Sequence, residues 1–389
     1  MTRVDRSGSP DQNICEPDLV VLSHLPWTWV WQRPQHLVSR LAAGRRTWFV
    51  EQPVRADVTT PVMRHADAGP VHRVWLEVPH EVRIGDSPLL PFELYGNQLT
   101  DLLGTAAVGS DVWLYSPMAL DLAGSMAPRV LAYDVMDDLS AFADGGDYMR
   151  NLQERALRRA DVVFAGGRSL HRVAAAVRGP DKVHLFPSGV EVAHYATSRK
   201  LRRPRVRPAA GYVGVIDERL DLTLIADLAA KLPQWDIHLV GPVTKIDPST
   251  LPQAPNLHYP GMQPYEQLPA VMAGLDVALM PFALNEATRA ISPTKTLEYL
   301  AAGLPVVSTR VADVVADWSS VVRFADDGVG FAAACLAVRD DCPAARDAQV
   351  APLRKRHEWD TIAAEMARLM RAAADARTER RTDVETVPA

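Results

Sequence analysis

Between Asn285 and Thr309 the chain reads NEATRAISPTKTLEYLAAGLPVVST, and this stretch holds the residues best suited to bind an anion. Ser292 is a good N-cap and Pro293 suits a first helical turn, while Gly303 followed by Pro305 supplies a stop. The spacing predicts a helix whose free amides at Thr294 and Lys295 face outward, where hydrogen bonds and the helix dipole both favour negative charge. Glu298 follows Thr294 by four residues, so it lies on nearly the same face and roughly 6 Å further along the axis. Amides at one end and a carboxylate one turn on can hold a diphosphate and accept hydrogen bonds from ribose hydroxyls. The plain alternative is a surface Lys295–Glu298 pair at i,i+3 spacing, worth about a few tenths of a kcal/mol.

A second constellation lies near the N-terminus, where SHLPWTWVWQRPQHL follows an apolar run. Tryptophans at 27, 29 and 31 are too many for an ordinary exposed loop. They can offer a platform on which a sugar or flat aromatic group stacks, with Trp27 expected to reach the cleft rather than Trp31. Equally, they can form a hydrophobic plug under the next helix. Arg33 and His36, near the start of that helix, can touch phosphates or a bound sugar, and His36 can instead serve packing alone.

These residues need a frame, and the hydrophobic pattern supplies one. DLVVLSH at 18–24, the helical RPQHLVSRLAAG closing on Gly44, and RTWFVEQ form a βαβ opening. After an irregular Pro-rich stretch come DVWLYSP at 111–117 and RVLAYDV at 129–135, each reading as a buried parallel strand. A helix through Leu152, Ala156 and Ala160, then DVVFAG, SLHRVAAAV and KVHLFPSGV, continues the alternation. TSRKLRRPRVRPAA is basic and poor in core residues, a natural linker. AGYVGVI, WDIHLVGP, DVALMPF and PVVST then alternate with helical segments. The expected class is α/β, two Rossmann-like doubly wound parallel sheets facing a cleft lined by strand ends. The expected bounds are a disordered arm at 1–17, a first domain at 18–200, a second at 205–350, a terminal helix at 351–374 and a disordered tail at 375–389.

Composition narrows the partners. The chain has 389 residues, 48% apolar, with 42 Lys+Arg against 47 Asp+Glu and a formal charge of −5, so no bulk positive field recruits nucleic acid. Three cysteines, Cys15, Cys335 and Cys342, lack any C-x-x-C spacing, which disfavours structural zinc or a disulfide framework. The polar start and the lack of a long apolar run predict a cytoplasmic protein without a transmembrane segment, a peripheral position at the inner membrane face being left open.

The stretch around Glu298, with AGYVGVIDERLDLTLIADLAAKLPQWDIHLVGP before it, resembles the donor-binding domain of GT-B glycosyltransferases of the family 4 (group 1) type. Members carry a glutamate in the helix just before A-x-G-x-P-V-V, and Glu298 with AAGLPVVS occupies that place. WVWQRPQHLVSRLA, YDVMDDLSAF, RADVVFAGGRSL and VHLFPSGVEVAHY extend the likeness over roughly residues 18–370. The resemblance implies transfer of a sugar from a nucleoside diphosphate sugar to an acceptor hydroxyl or amine, with retention of configuration, no metal and no cofactor. It also implies that a terminal helix returns to the first domain. Donor-binding residues would be Arg219, Lys295, Glu298, Thr294, Ser292 and Gly214, with Lys245 in GPVTKID a further cation. Asp134, at the end of a buried run, would be the catalytic group, and Trp27, Arg33, His36 and Asp137 would bind the acceptor. Turn capping is the alternative for Asp134, Asp137 and Asp138.

Two positions depart from the pattern. Ala290 stands where a second glutamate is common, eight before Glu298, and Val215 replaces a usual cation after the first strand of the second domain. These changes keep open a nucleotide-sugar epimerase of the same fold and a non-catalytic nucleotide-sugar-binding partner. A dinucleotide oxidoreductase is disfavoured, since neither half has G-x-G-x-x-G after its first strand.

Overall fold

The computed structural model describes residues 16–82, 90–139, 146–285, 288, 291, 294–339, 344, 347–348, 350–352 and 357–385. Valine- and leucine-rich runs become the central strands, because a parallel strand covered by helices on both faces must be apolar on both. In the first sheet these are β1 (Leu19–Ser23), β2 (Thr47–Glu51), β6 (Asp111–Leu114), β7 (Val130–Val135), β8 (Val162–Ala165) and β9 (Val183–Leu185). All five residues of β1 are buried, paired in parallel with β2 on one side and β6 on the other.

The stretch after β2, expected to be irregular, holds three further strands: β3 (Val54–Arg55), β4 (Val62–Ala68) and β5 (Val71–Val78). In β5 buried and part-exposed residues alternate, a half-covered strand, and β4 pairs with it antiparallel as an edge hairpin. The sheet runs β3-β5-β2-β1-β6-β7-β8-β9.

The second sheet comprises β10 (Ala209–Val213), β11 (Asp236–Val240), β12 (Leu257–Gly261), β13 (Val277–Met280), β14 (Val306–Ser308) and β15 (Val322–Phe324). Its order is β12-β11-β10-β13-β14-β15, every pairing parallel. It has its own core, distinct from the two clusters on the faces of the first sheet. The basic stretch between the sheets is pinned to the second half: Arg199 Nη2 donates to Asp347 at 2.7 Å and Arg207 Nε to Asp236 at 3.0 Å.

The C-terminal helix spans Trp359–Glu385. It runs beyond the expected end at 374, so the tail read as disordered from 375 is helical as far as Glu385. Trp359, Ile362, Met366 and Met370 are buried against Leu37, Phe49, Phe164 and neighbours on the first sheet. Burial of that kind contributes about 1.5 to 3 kcal/mol per large side chain. Of the expected arm at 1–17, residues 1–15 lie outside the described residues.

The helix α1 (Arg33–Leu41) follows the tryptophan loop and begins with a buried charge. Arg33 Nε and Nη2 donate to Asp134 Oδ2 and Oδ1 of β7 at 2.9 and 2.8 Å, and Nη1 donates to the Phe186 carbonyl at 2.8 Å. Arg33 is 3% exposed and Asp134 0%. Removing one partner of such a pair leaves an uncompensated buried charge. Asp134→Asn should therefore cost on the order of 3 kcal/mol of unfolding free energy, measured by urea denaturation followed by tryptophan fluorescence; an unchanged midpoint would remove this structural role.

Candidate active site

A cavity of about 770 Å³ opens between the two sheets, within the size range of small-molecule sites. Its second-sheet wall is built where β10 and β11 end. Gly214 and Gly241 follow those strands, and a Cβ on Gly241 would lie 1.9 Å from the Gly214 carbonyl oxygen. A Cβ on Gly214 would in turn lie 2.0 Å from Lys295 Cε, so the missing side chain is what lets Lys295 cross the strand end. The Lys295 ammonium sits 5.6 Å from the Tyr212 ring centroid, and among the described residues no carboxylate lies within ion-pair distance of it. Burial pushes its pKa below the usual 10.5, with Glu298 opposing that shift.

The helix carrying Lys295 is α2 (Lys295–Ala301), which starts slightly later than the expected Ser292 or Pro293; both of those lie outside the described residues, as does Ala290. Thr294 stands just before it and lines the cavity with Lys295 and Glu298. Gly303, at φ 77°, reverses the chain, and the Leu304 N–H closes back on the Tyr299 carbonyl at 2.9 Å. The Tyr299 hydroxyl accepts from the Val213 N–H at 2.8 Å, which clips α2 to the end of β10. Burial raises the Glu298 carboxyl, against the pull of Lys295 and the Tyr195 hydroxyl.

Arg219 completes this wall. Its Nε and Nη2 donate to Asp217 at 2.9 and 2.7 Å, and Asp217 keeps the guanidinium firmly protonated despite its burial. Lys245 takes another position. It is exposed, has φ 60° and does not line the cavity, although its charge acts on His24 and Asp137. Thus Gly214, Arg219, Thr294, Lys295 and Glu298 come together and Lys245 stands outside them.

The first-sheet wall agrees with the sequence expectation at Asp137 and departs from it at Asp134 and His36. Asp134 does not line the cavity, and both its oxygens are taken by Arg33, so it cannot be the group that meets a reacting atom; its role is to hold Arg33. Asp137, two residues after β7, does line the cavity; burial raises its carboxyl while Arg219 and Lys245 lower it. His36 also stands back. It is 2% exposed, stacks on Trp359 at 5.1 Å and receives the Trp31 indole N–H on Nδ1 at 3.2 Å, and burial lowers its pKa to about 3. It is a neutral packing residue and not an acceptor ligand.

The tryptophans divide the two roles foreseen for them. Trp27 is 6% exposed and wedged edge-on to Phe49 and Trp31, which makes it mainly a plug that touches the cavity with one edge. Its N–H donates to Glu51 Oε1 at 2.9 Å, and Arg73 holds that carboxylate from the other side. Trp31, not Trp27, spans to the second half, with its ring 5.6 Å from Tyr265. Trp29 is 36% exposed and lines the cavity. Arg33 lines it too, with its nitrogens already bonded.

Sequence reasoning missed Asp217, Tyr212, Tyr299 and Tyr265. Asp217 carried a local signal, standing two residues before Arg219 in VIDERL. The tyrosines carried none, because each acts across the fold.

Residues 207–341 match the family model described as Glycosyl transferases group 1. A curated relative, the putative teichuronic acid biosynthesis glycosyltransferase TuaH of Bacillus subtilis, is 30% identical over 173 residues. That match takes in 42% of this chain and 44% of the relative, so the chain spans less than half the relative's length. The α,α-trehalose-phosphate synthase of Burkholderia xenovorans, solved with glucose 6-phosphate, superposes with a TM-score of 0.66 at 14% identity, over 91% of this chain and 100% of that one. Anabaena HepE, solved with UDP and glucose, superposes with a TM-score of 0.65 at 13% identity, over 92% and 100%. Residues 207–341 thus match the group 1 glycosyltransferase model, and the chain as a whole has the GT-B fold that the sequence resemblance implied.

Proposed function

We propose that the protein is a glycosyltransferase that takes a nucleoside diphosphate sugar as donor and a small molecule or a glycan- or lipid-linked molecule as acceptor. The observation that carries this reading is the convergence of Lys295, Arg219 and Glu298 on one cavity wall at the strand ends of a group 1 domain. Arg219 Nη1 has no hydrogen-bond partner among the described residues, which leaves a charged donor for the diphosphate. Lys295, held over Gly214, supplies the second. Fixed cations here stabilise the negative charge that develops as the C1–O bond to the diphosphate breaks. Glu298, one helical turn along, accepts from the ribose hydroxyls.

As the new C1–O bond forms, the acceptor hydroxyl must lose its proton. We assign that contact to Asp137, a first-sheet carboxylate that lines the cavity. Retention of configuration and independence of metal and cofactor belong to the proposal through the family resemblance, and so does a cytoplasmic location. No helix among the described residues is long and apolar enough to cross a membrane.

A thermal-shift screen over nucleoside diphosphates tests the reading: the cognate one at ~100 times its dissociation constant should stabilise the protein by about 2.7 kcal/mol. Glu298→Gln should weaken that ligand by about 1.5 to 3 kcal/mol with little change in unfolding midpoint. A screen with no response, or a folded Glu298→Gln of wild-type affinity, would contradict it.

The lowered Lys295 pKa sets a pH dependence. Its ammonium is complete below the shifted value and lost as pH rises through it, so nucleotide affinity should decline on the alkaline side before an ordinary lysine would titrate. Lys295→Arg should keep affinity flat across that range; calorimetry at stepped pH distinguishes the two profiles. Turnover should also survive EDTA, and activity lost to the chelator and restored by Mg²⁺ would refute the metal-free reading.

A further inference from the structure

The two walls of the cavity differ in what they can do with charge. On the second-sheet wall Arg219 and Lys295 each keep donor capacity for a ligand. On the first-sheet wall the lining charges are Arg33 and Asp137. All three Arg33 nitrogens are engaged, two by a fully buried carboxylate and one by the Phe186 carbonyl. Arg33 and Asp134 cancel, and Asp137 adds no positive charge. His24, just past β1, is held neutral, since burial lowers its pKa to about 4. The field of Lys245 reaches this wall from outside the cavity, but a phosphate brought to it would meet the Asp137 carboxylate and a lining arginine already paired with Asp134, an unfavourable site for a desolvated anion.

What the wall does offer is apolar surface. Trp29, 36% exposed, and Met262, 47% exposed, both line the cavity from opposite halves, with Val30 and Met136 further in. The Trp29 N–H donates to the Pro26 carbonyl at 3.2 Å, and the Glu51 contact to Trp27 anchors the same loop, so the indole is presented by fixed backbone. An exposed indole and a thioether lining one cavity favour a flat, uncharged ring.

Resting on the glycosyltransferase reading, we propose that the acceptor is an uncharged molecule bearing an aromatic ring that stacks on Trp29, and that sugar phosphates are excluded. The trehalose-phosphate synthase solved with glucose 6-phosphate shares the fold, so the distinction lies in this wall and not in the architecture.

The test is calorimetry on UDP-saturated protein with three probes: p-nitrophenyl β-D-glucopyranoside, octyl β-D-glucopyranoside and glucose 6-phosphate. The aryl glucoside should bind at least about tenfold more tightly than either of the others. Trp29→Ala should lose about tenfold for it and Trp29→Phe should keep most of its affinity, with UDP binding unchanged in both. Thr28→Lys, an added cation on an exposed lining residue, should improve glucose 6-phosphate binding. Glucose 6-phosphate binding as tightly as the aryl glucoside, or a preference for the octyl chain, would overturn the proposal. So would a Trp29→Ala protein of normal melting temperature and unchanged aryl glucoside affinity. The same titrations on protein without nucleotide separate the two readings: failure of every nucleoside diphosphate to bind sinks the donor assignment, while Trp29-dependent aryl glucoside binding stands independently of it.

Discussion

Arg33 paired with Asp134 is the constraint on which the first half of the cleft depends. A guanidinium and a carboxylate taken out of water lose several kcal/mol of hydration each, and attraction offsets this only when every donor is satisfied. Here the two side chains meet in a bidentate contact and a carbonyl takes the remaining nitrogen. The pair therefore allows one arrangement of the start of α1 relative to β7. The tryptophan loop leads into that helix start, and Asp137 follows that strand, so one buried contact sets both ends of the first-sheet wall. A residue that reads as catalytic by its place at a strand end instead acts by fixing another side chain.

The second constraint joins the halves. His36 stacks on Trp359 at the root of the C-terminal helix and meets Tyr265 of the second half edge-on, with ring centroids 5.4 Å apart. Tyr265 also stacks on His194 and donates to Glu191, and Arg40 donates to the same carboxylate. First sheet, linker, second half and terminal helix thus share one aromatic and ionic cluster directly behind Trp31. A shift of one half relative to the other has to repack these rings, so cleft width and the position of the tryptophan loop are mechanically linked.

The legible part of this fold was the part that is local. Runs such as LVVL and VALM announce buried parallel strands because both faces must be apolar, and the helix from Lys295 announces itself through Gly303 and Pro305. Lys295 and Glu298 stood out because helix-start signals and their spacing are visible within a few residues, and it was the family resemblance that selected them, with Gly214, as donor-binding candidates. β4 was missed because RHADA at a sheet edge is mostly exposed and carries no apolar pattern. β5 had a readable alternation, but it followed Pro-rich sequence that argued for a loop. Arg33 and Asp134 stand 101 positions apart, and no periodicity connects them. The same holds for Trp31 and Tyr265, so the contact of Trp31 with the second half was not legible in the sequence.

The second-sheet wall then differs from the first-sheet wall. Its cations are kept charged in a poorly solvated place: Asp217 achieves this for Arg219 by direct bonding, while Lys295, among the described residues, has the ring of Tyr212 and the more distant fields of Glu298 and Asp217. A buried ammonium in that state gains more from an arriving anion than a solvated one, because the anion supplies the attraction that lost hydration no longer does. On the proposed reading, a diphosphate entering beside Gly214 would relieve the depressed Lys295 and meet the open nitrogen of Arg219 at once. The first-sheet wall, where Arg33 is already paired with Asp134, has no such deficit to fill. On the two proposals, selectivity for a polyanion on one side and for an uncharged ring on the other then follows from Arg219 keeping Nη1 without a partner among the described residues while each Arg33 nitrogen already makes a bond.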